Sequence, residues 1–260
     1  MVISEKEWLG FVEKLRVLDN ESARQIKKFA IESGAYSFVK QTYEVTEELI
    51  AYAYSIVTKY GEAAAALSAE LYDELAQYEK AIVPPAVPAP TATYREVRQT
   101  IYGSHEFSPT VEVLGAAQSR LVKQAGVDTT VQNAIRDRAQ IAFVPHGDTC
   151  AYCIALAGGG WRPAYDTDMD RNGHVAHCHS NCDCTFAVRF GKDTTIGGYD
   201  PTKYKHMYYD AAPYGSSKDK INAMRREFYA ENKGKIAEQK ATAYERRQAR
   251  ESPEAEEMNV

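Results

Sequence analysis

Eleven residues, "HVAHCHSNCDC" at 174–184, hold three cysteines and three histidines, and "CAYC" upstream adds Cys150 and Cys153. All five cysteines of the chain therefore lie within residues 150–184. Read as donors, they form C-x-x-C followed by H-x-x-C-x-C: Cys150, Cys153, His179, Cys182 and Cys184. A two-residue spacer lets one tight turn aim two donors at a single ion, and zinc takes four thiolate or imidazole ligands tetrahedrally. Cys150, Cys153, His179 and Cys182 make two matched knuckles. Cys184 stands two residues beyond Cys182, on the same face of a strand, and is the alternative to it. Cys178 is expected to point away, and His174 and His177 to be solvent-exposed. One structural Zn2+ is the expected cofactor, its binding supplying folding free energy that a small loop-rich segment lacks. Disulfides are the weaker reading. Five cysteines cannot all pair, and "MVISEKEWLGFVEKL" lacks the basic and apolar stretches of a secretory signal, which points to a reducing compartment.

A catalytic zinc keeps an open position beside a general base. The chain has no H-E-x-x-H, and no H-x-E stands upstream of its C-x-x-C as a deaminase requires. A full donor set without a partnered base predicts a closed site with no catalytic residue and no small-molecule substrate. The rival reading is a zinc-dependent nuclease or other DNA-acting enzyme using His146, Asp148 or His177. "DMDRNGHV" (168–175) opens like a calcium loop, but His179 stands where the bidentate glutamate belongs, so a turn joining the two halves of the zinc site is expected.

The elements that must carry these residues are mostly helical. Trp8, Phe11, Val12, Leu15 and Leu18 recur at helical steps, with Gly34 as a break. A second periodic segment spans about 39–59, Gly61 punctuates it, and "EAAAALSAELYDELAQYE" continues in strong helix formers. "PPAVPAPT" (84–91) cannot be helix and reads as an extended linker or surface strap. Helices resume at Tyr94, with Asp128 or Thr129 as the N-cap of a further one. "IAFVPH" (141–146) and "TFAVRF" (185–190) read as short strands bracketing the cysteines. "TKYKHMYYDAAPYG" reads as a short helix, and residues 218–250 as a long one with ten Lys/Arg against five Asp/Glu. The expected fold is mainly α with a small α+β zinc-binding subdomain: a helical N-terminal region (1–83), a Pro-rich linker (84–93), a core with the zinc site (94–213), and a charged C-terminal helix with an acidic tail (214–260).

With "VPHGDTCAYCIALAGGGW" and "HSNCDCTFAVRF" in place, the chain resembles the minor head proteins of tailed bacteriophages: the MuF-like head-morphogenesis family, in the form found in phages of Gram-positive bacteria. Cys150, Cys153, His179, Cys182 and Cys184 occupy that signature. "YGEAAAALSAELYDEL" and "GGYDPTKYKHMYYDA" resemble its flanking segments, so the likeness runs over about 40–212. Two departures, Ser180 where proline is common and Asp183 where a base is frequent, fall outside the ligand positions. The resemblance implies a minor capsid protein inside the virion head near the portal, made in the bacterial cytoplasm and acting in head assembly or genome delivery. It implies no enzymatic activity. The portal protein or the major capsid protein is the implied partner.

Charge adds less. A net charge of −5 gives no global case for nucleic acid, and the most apolar run, "LIAYAYSIV", is too short to span a bilayer, so no membrane partner is expected. The basic excess of 218–250 makes packaged DNA a candidate partner for that helix. The loop between the knuckles holds only Arg162 and Arg171 as fixed cations against three aspartates, which argues against a DNA-reading zinc domain.

Overall fold

The computed structural model describes residues 2–146, 149–169, 171–176, 184–192 and 194–251, with backbone alone at 235, 236 and 239–251. Helix α1 (Glu5–Glu32) opens on a capping box: the Ser4 hydroxyl accepts from the Glu7 N–H at 3.2 Å, and the Glu7 carboxylate accepts from the Ser4 N–H at 2.9 Å. Trp8, Phe11, Val12, Leu15, Ile26 and Ala30 form its buried stripe. The helix ends before Gly34, whose φ of +76° suits a residue without Cβ.

Residues 36–43 are not the start of the second helix. They form a hairpin of β2 (Tyr36–Ser37) and β3 (Thr42–Tyr43), because Gln41 turns the chain through φ +55° and Thr46 caps the next helix from the Leu49 N–H. Helix α2 (Glu47–Tyr78) then runs through Gly61 without a break. Gly61 is required by packing instead: a Cβ there would lie 2.8 Å from Thr91 Cγ2.

That threonine belongs to the proline strap, which side chains of α2 and α4 fasten to the helices. Asn133 accepts from the Val87 N–H at 2.9 Å and donates to the Val87 carbonyl at 2.8 Å. The Thr129 hydroxyl accepts from the Ala89 N–H at 2.9 Å, and Asp73 accepts from the Ala86 N–H at 2.8 Å. Arg136 donates to the carbonyls of Pro84 and Pro85. Six backbone groups of the strap, which pair with no strand, are thereby satisfied by side chains.

Beyond the strap, α3 (Tyr94–Phe107) leads to α4 (Val111–Arg136), the central helix, which packs on α1, α2 and α3. Asp128 and Thr129 do not cap a new helix. Both sit inside α4 and are almost fully buried, and the Asp128 carboxylate is taken up by tertiary partners. Gly126 lets α2 approach, since a Cβ there would lie 2.8 Å from Ser68 Oγ.

The expected strands are present. β4 (Gln140–Val144) pairs antiparallel with β6 (Thr185–Arg189) and, on its other side, with β5 (Arg162–Pro163). Phe143 faces Phe186 across the β4–β6 pair, their rings meeting edge to face at 5.1 Å. Residues 185–188 are all buried, so β6 is covered on both faces. β7 (Thr195–Ile196) pairs in parallel with β1 (Val2–Ile3). Helix α6 (Pro201–Asp210) and the first turns of α7 (Ser217–Glu251) close over α5 (Ala151–Ala157), with Ile154, Met224, Tyr208 and Phe228 in one apolar cluster.

Candidate metal centre

Strand β4 delivers the chain to the first pair of cysteines. Cys150 is the N-cap of α5, with extended backbone (φ −74°, ψ 158°), and its sulfur accepts from the Cys153 N–H at 3.4 Å. The helical turn brings the two sulfurs to 3.3 Å. Two thiolates sharing a tetrahedral zinc at about 2.3 Å each stand about 3.8 Å apart, so a small side-chain rotation fits this pair to one ion. Cys153 is buried and Cys150 half-buried.

Helix α5 is held from behind. The Tyr199 hydroxyl donates to the Ala157 carbonyl at 2.8 Å, and Gly158 passes so close to the backbone of Lys205 that a Cβ would come within 3.0 Å. Cys184, buried, immediately precedes β6 and packs in the same apolar cluster as Cys153. Burial raises the Tyr204 phenol, with smaller contributions from Cys184 and Asp200 nearby. Burial likewise raises Tyr152, reinforced by Asp168, Cys153 and Cys150.

His179 and Cys182, with Asp148, His177 and Cys178, lie outside the described residues. Among the described residues, no group of three or more His, Cys, Asp or Glu is arranged to hold a metal ion. His146 is described and half-buried, two residues past the end of β4.

Residues 168, 169 and 171–176 lie in a turn, as their composition suggests. Met169 and Val175 form an antiparallel bridge, the Ala176 N–H donates to the Asp168 carbonyl at 3.0 Å, and Gly173 supplies φ +81°. His174 is not solvent-exposed as its spacing suggests; its side chain is 19% exposed and wedged between two carboxylates. Its Nδ1 is 2.6 Å from Asp128 Oδ2 and its Nε2 is 3.3 Å from Glu96 Oε1. The other Asp128 oxygen accepts from the Val175 N–H and from Gln124, both at 2.8 Å.

The hydrogen bond to Asp128 pushes the His174 pKa up to about 9 against the opposing effect of burial, with the Asp128 and Glu96 charges adding to the rise. Burial would raise the Glu96 carboxyl, but the Thr93 N–H and hydroxyl and the His174 charge hold it below the ordinary value. At neutral pH both ring N–H groups therefore donate, and an imidazolium pins the turn to α3 and α4. No local motif announces this latch: Asp128 and Glu96 stand 46 and 78 residues from His174. The one trace of it in the sequence is T-x-x-E at 93–96, the capping box whose glutamate also reaches the histidine.

A family model described as VG15 protein matches residues 3–211, four-fifths of the chain. The chain belongs to the VG15 protein family. This is a viral protein family, and the match runs from α1 through α6 and ends before α7. No curated protein and no solved structure matches the chain. Among the described residues of this VG15 protein, no helix is long and apolar enough to cross a membrane.

Proposed function

We propose that this VG15 protein is a structural minor head protein of a tailed bacteriophage, resident inside the capsid near the portal and acting in head assembly or genome delivery. The zinc-stapled subdomain is its rigid core. The observation that carries this reading is the cysteine pair at the start of α5: two sulfurs converge on one side of a helix that is braced by β4, α6 and α7, behind which the chain re-enters the sheet through Cys184 and β6. Cys150, Cys153, His179 and Cys182 hold the ion, with Cys184 as the alternative to Cys182. Membership in a viral family and the signature of the MuF-like proteins support the assignment to the head.

Zinc here cross-links the two ends of the segment that separates the ligand pairs, a role that adds folding free energy without chemistry. The chain acts by presenting surfaces to the portal or the major capsid protein, and no residue is assigned a catalytic step. The test is its location in purified particles. Mass spectrometry should detect the chain in whole virions and in tail-free heads, protected from added protease until the heads are opened. Its absence from heads, or digestion in intact particles, refutes the reading.

A further inference from the structure

The last residue of α7 in the cluster over α5 is Phe228, and from Arg226 onward the helix sequence repeats every seven residues. Arg226, Lys233, Lys240 and Arg247 recur at one position of the repeat, all basic. Glu231, Glu238 and Glu245 recur at another, all acidic. Along the chain the two signs interleave; on a continuous helix these seven charges separate into two lines, and Lys235, Arg246 and Arg250 fall on the opposite side from the residues between them. Between those lines run Ala230, Gly234, Ala237, Ala241 and Tyr244, at alternating steps of four, three, four and three residues. This is the spacing of the seam of a two-stranded coiled coil, and the charged lines take the two flanking positions. Arg226, Ala230, Glu231, Lys233, Gly234, Ala237 and Glu238 are all exposed.

We propose that α7 pairs in parallel with α7 of a second copy of this chain. In a parallel pair each basic position faces the acidic position five residues later on the other helix. Arg226 then meets Glu231 of the second copy and Lys233 meets its Glu238, with the same contacts repeated by symmetry, and the sequence carries the register on through positions 240 and 245. An antiparallel pair sets bases against bases and glutamates against glutamates, so the charge pattern selects the parallel arrangement. Alanine and glycine in the seam let the two backbones approach closely, while Glu227 before it and Gln248 after it mark its ends with polar residues. A seam from Ala230 to Tyr244 is about 21 Å long at about 1.5 Å per residue. So short a seam of small side chains gives a weak, concentration-dependent association that copies held together in a particle complete.

The test is sedimentation of the full chain. Wild type should associate to dimers with rising concentration, and its dissociation constant should weaken at least about tenfold between low and high salt because the flanking pairs are exposed. The variant E231K/E238K/E245K should sediment as a monomer, as should R226E/K233E/K240E. An equimolar mixture of the two should restore a one-to-one dimer. Ala230→Cys should cross-link between copies on mild oxidation where wild type does not. A chain that stays monomeric at every concentration overturns the proposal; if R226E/K233E/K240E then loses binding to a duplex DNA that wild type retains, the basic line serves nucleic acid instead. Dimers unaffected by either charge reversal, or an Ala230→Cys chain that dimerises without cross-linking, overturn it equally.

Discussion

Replacing His174 by glutamine tests whether the turn that carries it is fastened to α3 and α4 by an ion pair. The histidine pKa rises from 6.5 to about 9 on folding, chiefly through the Asp128 hydrogen bond. A group whose pKa is raised by folding contributes stability that is fully present below its unfolded value and is lost as pH climbs through the folded one. The contribution is thus complete below pH 6.5 and gone above about pH 9. At 1.36 kcal/mol per unit the shift corresponds to about 3 kcal/mol. Screening by solvent is limited, because the His174 side chain is 19% exposed and that of Asp128 only 1%.

The assay is urea unfolding of wild type and His174→Gln at a series of pH values from 6 to 10. The difference in stability between them should be largest at pH 6 and shrink by about 3 kcal/mol by pH 10. Ionisation of the cysteines at alkaline pH is common to both chains and cancels in the difference. A gap that stays constant across this range would mean that His174 is held by neutral contacts alone, and the ion-pair account would be wrong.

Other consequences follow from the packing. Asn133→Ala removes both hydrogen bonds to Val87 and should cost about 2 kcal/mol, with faster proteolytic cleavage in residues 84–90. Gly126→Ala places a methyl group 2.8 Å from Ser68 Oγ and should destabilise by about 1–3 kcal/mol in thermal unfolding; adding Ser68→Ala should recover part of that loss, a non-additivity that a double-mutant cycle reads directly. Phe186→Ala empties the site facing Phe143 in the β4–β6 pair and should cost about 3–5 kcal/mol, seen as a lower denaturation midpoint at unchanged denaturant dependence.

What the sequence shows of this fold divides by range. The apolar period of α1, the strands flanking the cysteines, the short α6 and the long α7 are all legible, because each is written in neighbouring residues. The C-x-x-C is legible for the same reason: its geometry is one turn of helix. Features that depend on distant partners are not. Gly61 reads as a break until Thr91 is seen packed against it. Asp128 reads as a helix cap until His174 and the Val175 N–H arrive from more than forty residues away and take up its carboxylate within α4. The proline strap is visible as extended chain, but its fastening to Asn133 and Thr129 is a tertiary fact. In α7 the position is reversed. The charges look mixed when read in line, and only the helical repeat sorts them.

The most direct measurement is zinc content per chain, on wild type and on Cys153→Ser, alongside the fraction folded. A structural staple predicts one zinc per wild-type chain, and the loss of metal and of folded structure together in the variant, since Cys153 is buried beside the other sulfur. A wild-type chain that is folded without metal would contradict the account. So would a variant that loses its zinc and keeps its fold, which would point instead to an open metal site free to do chemistry.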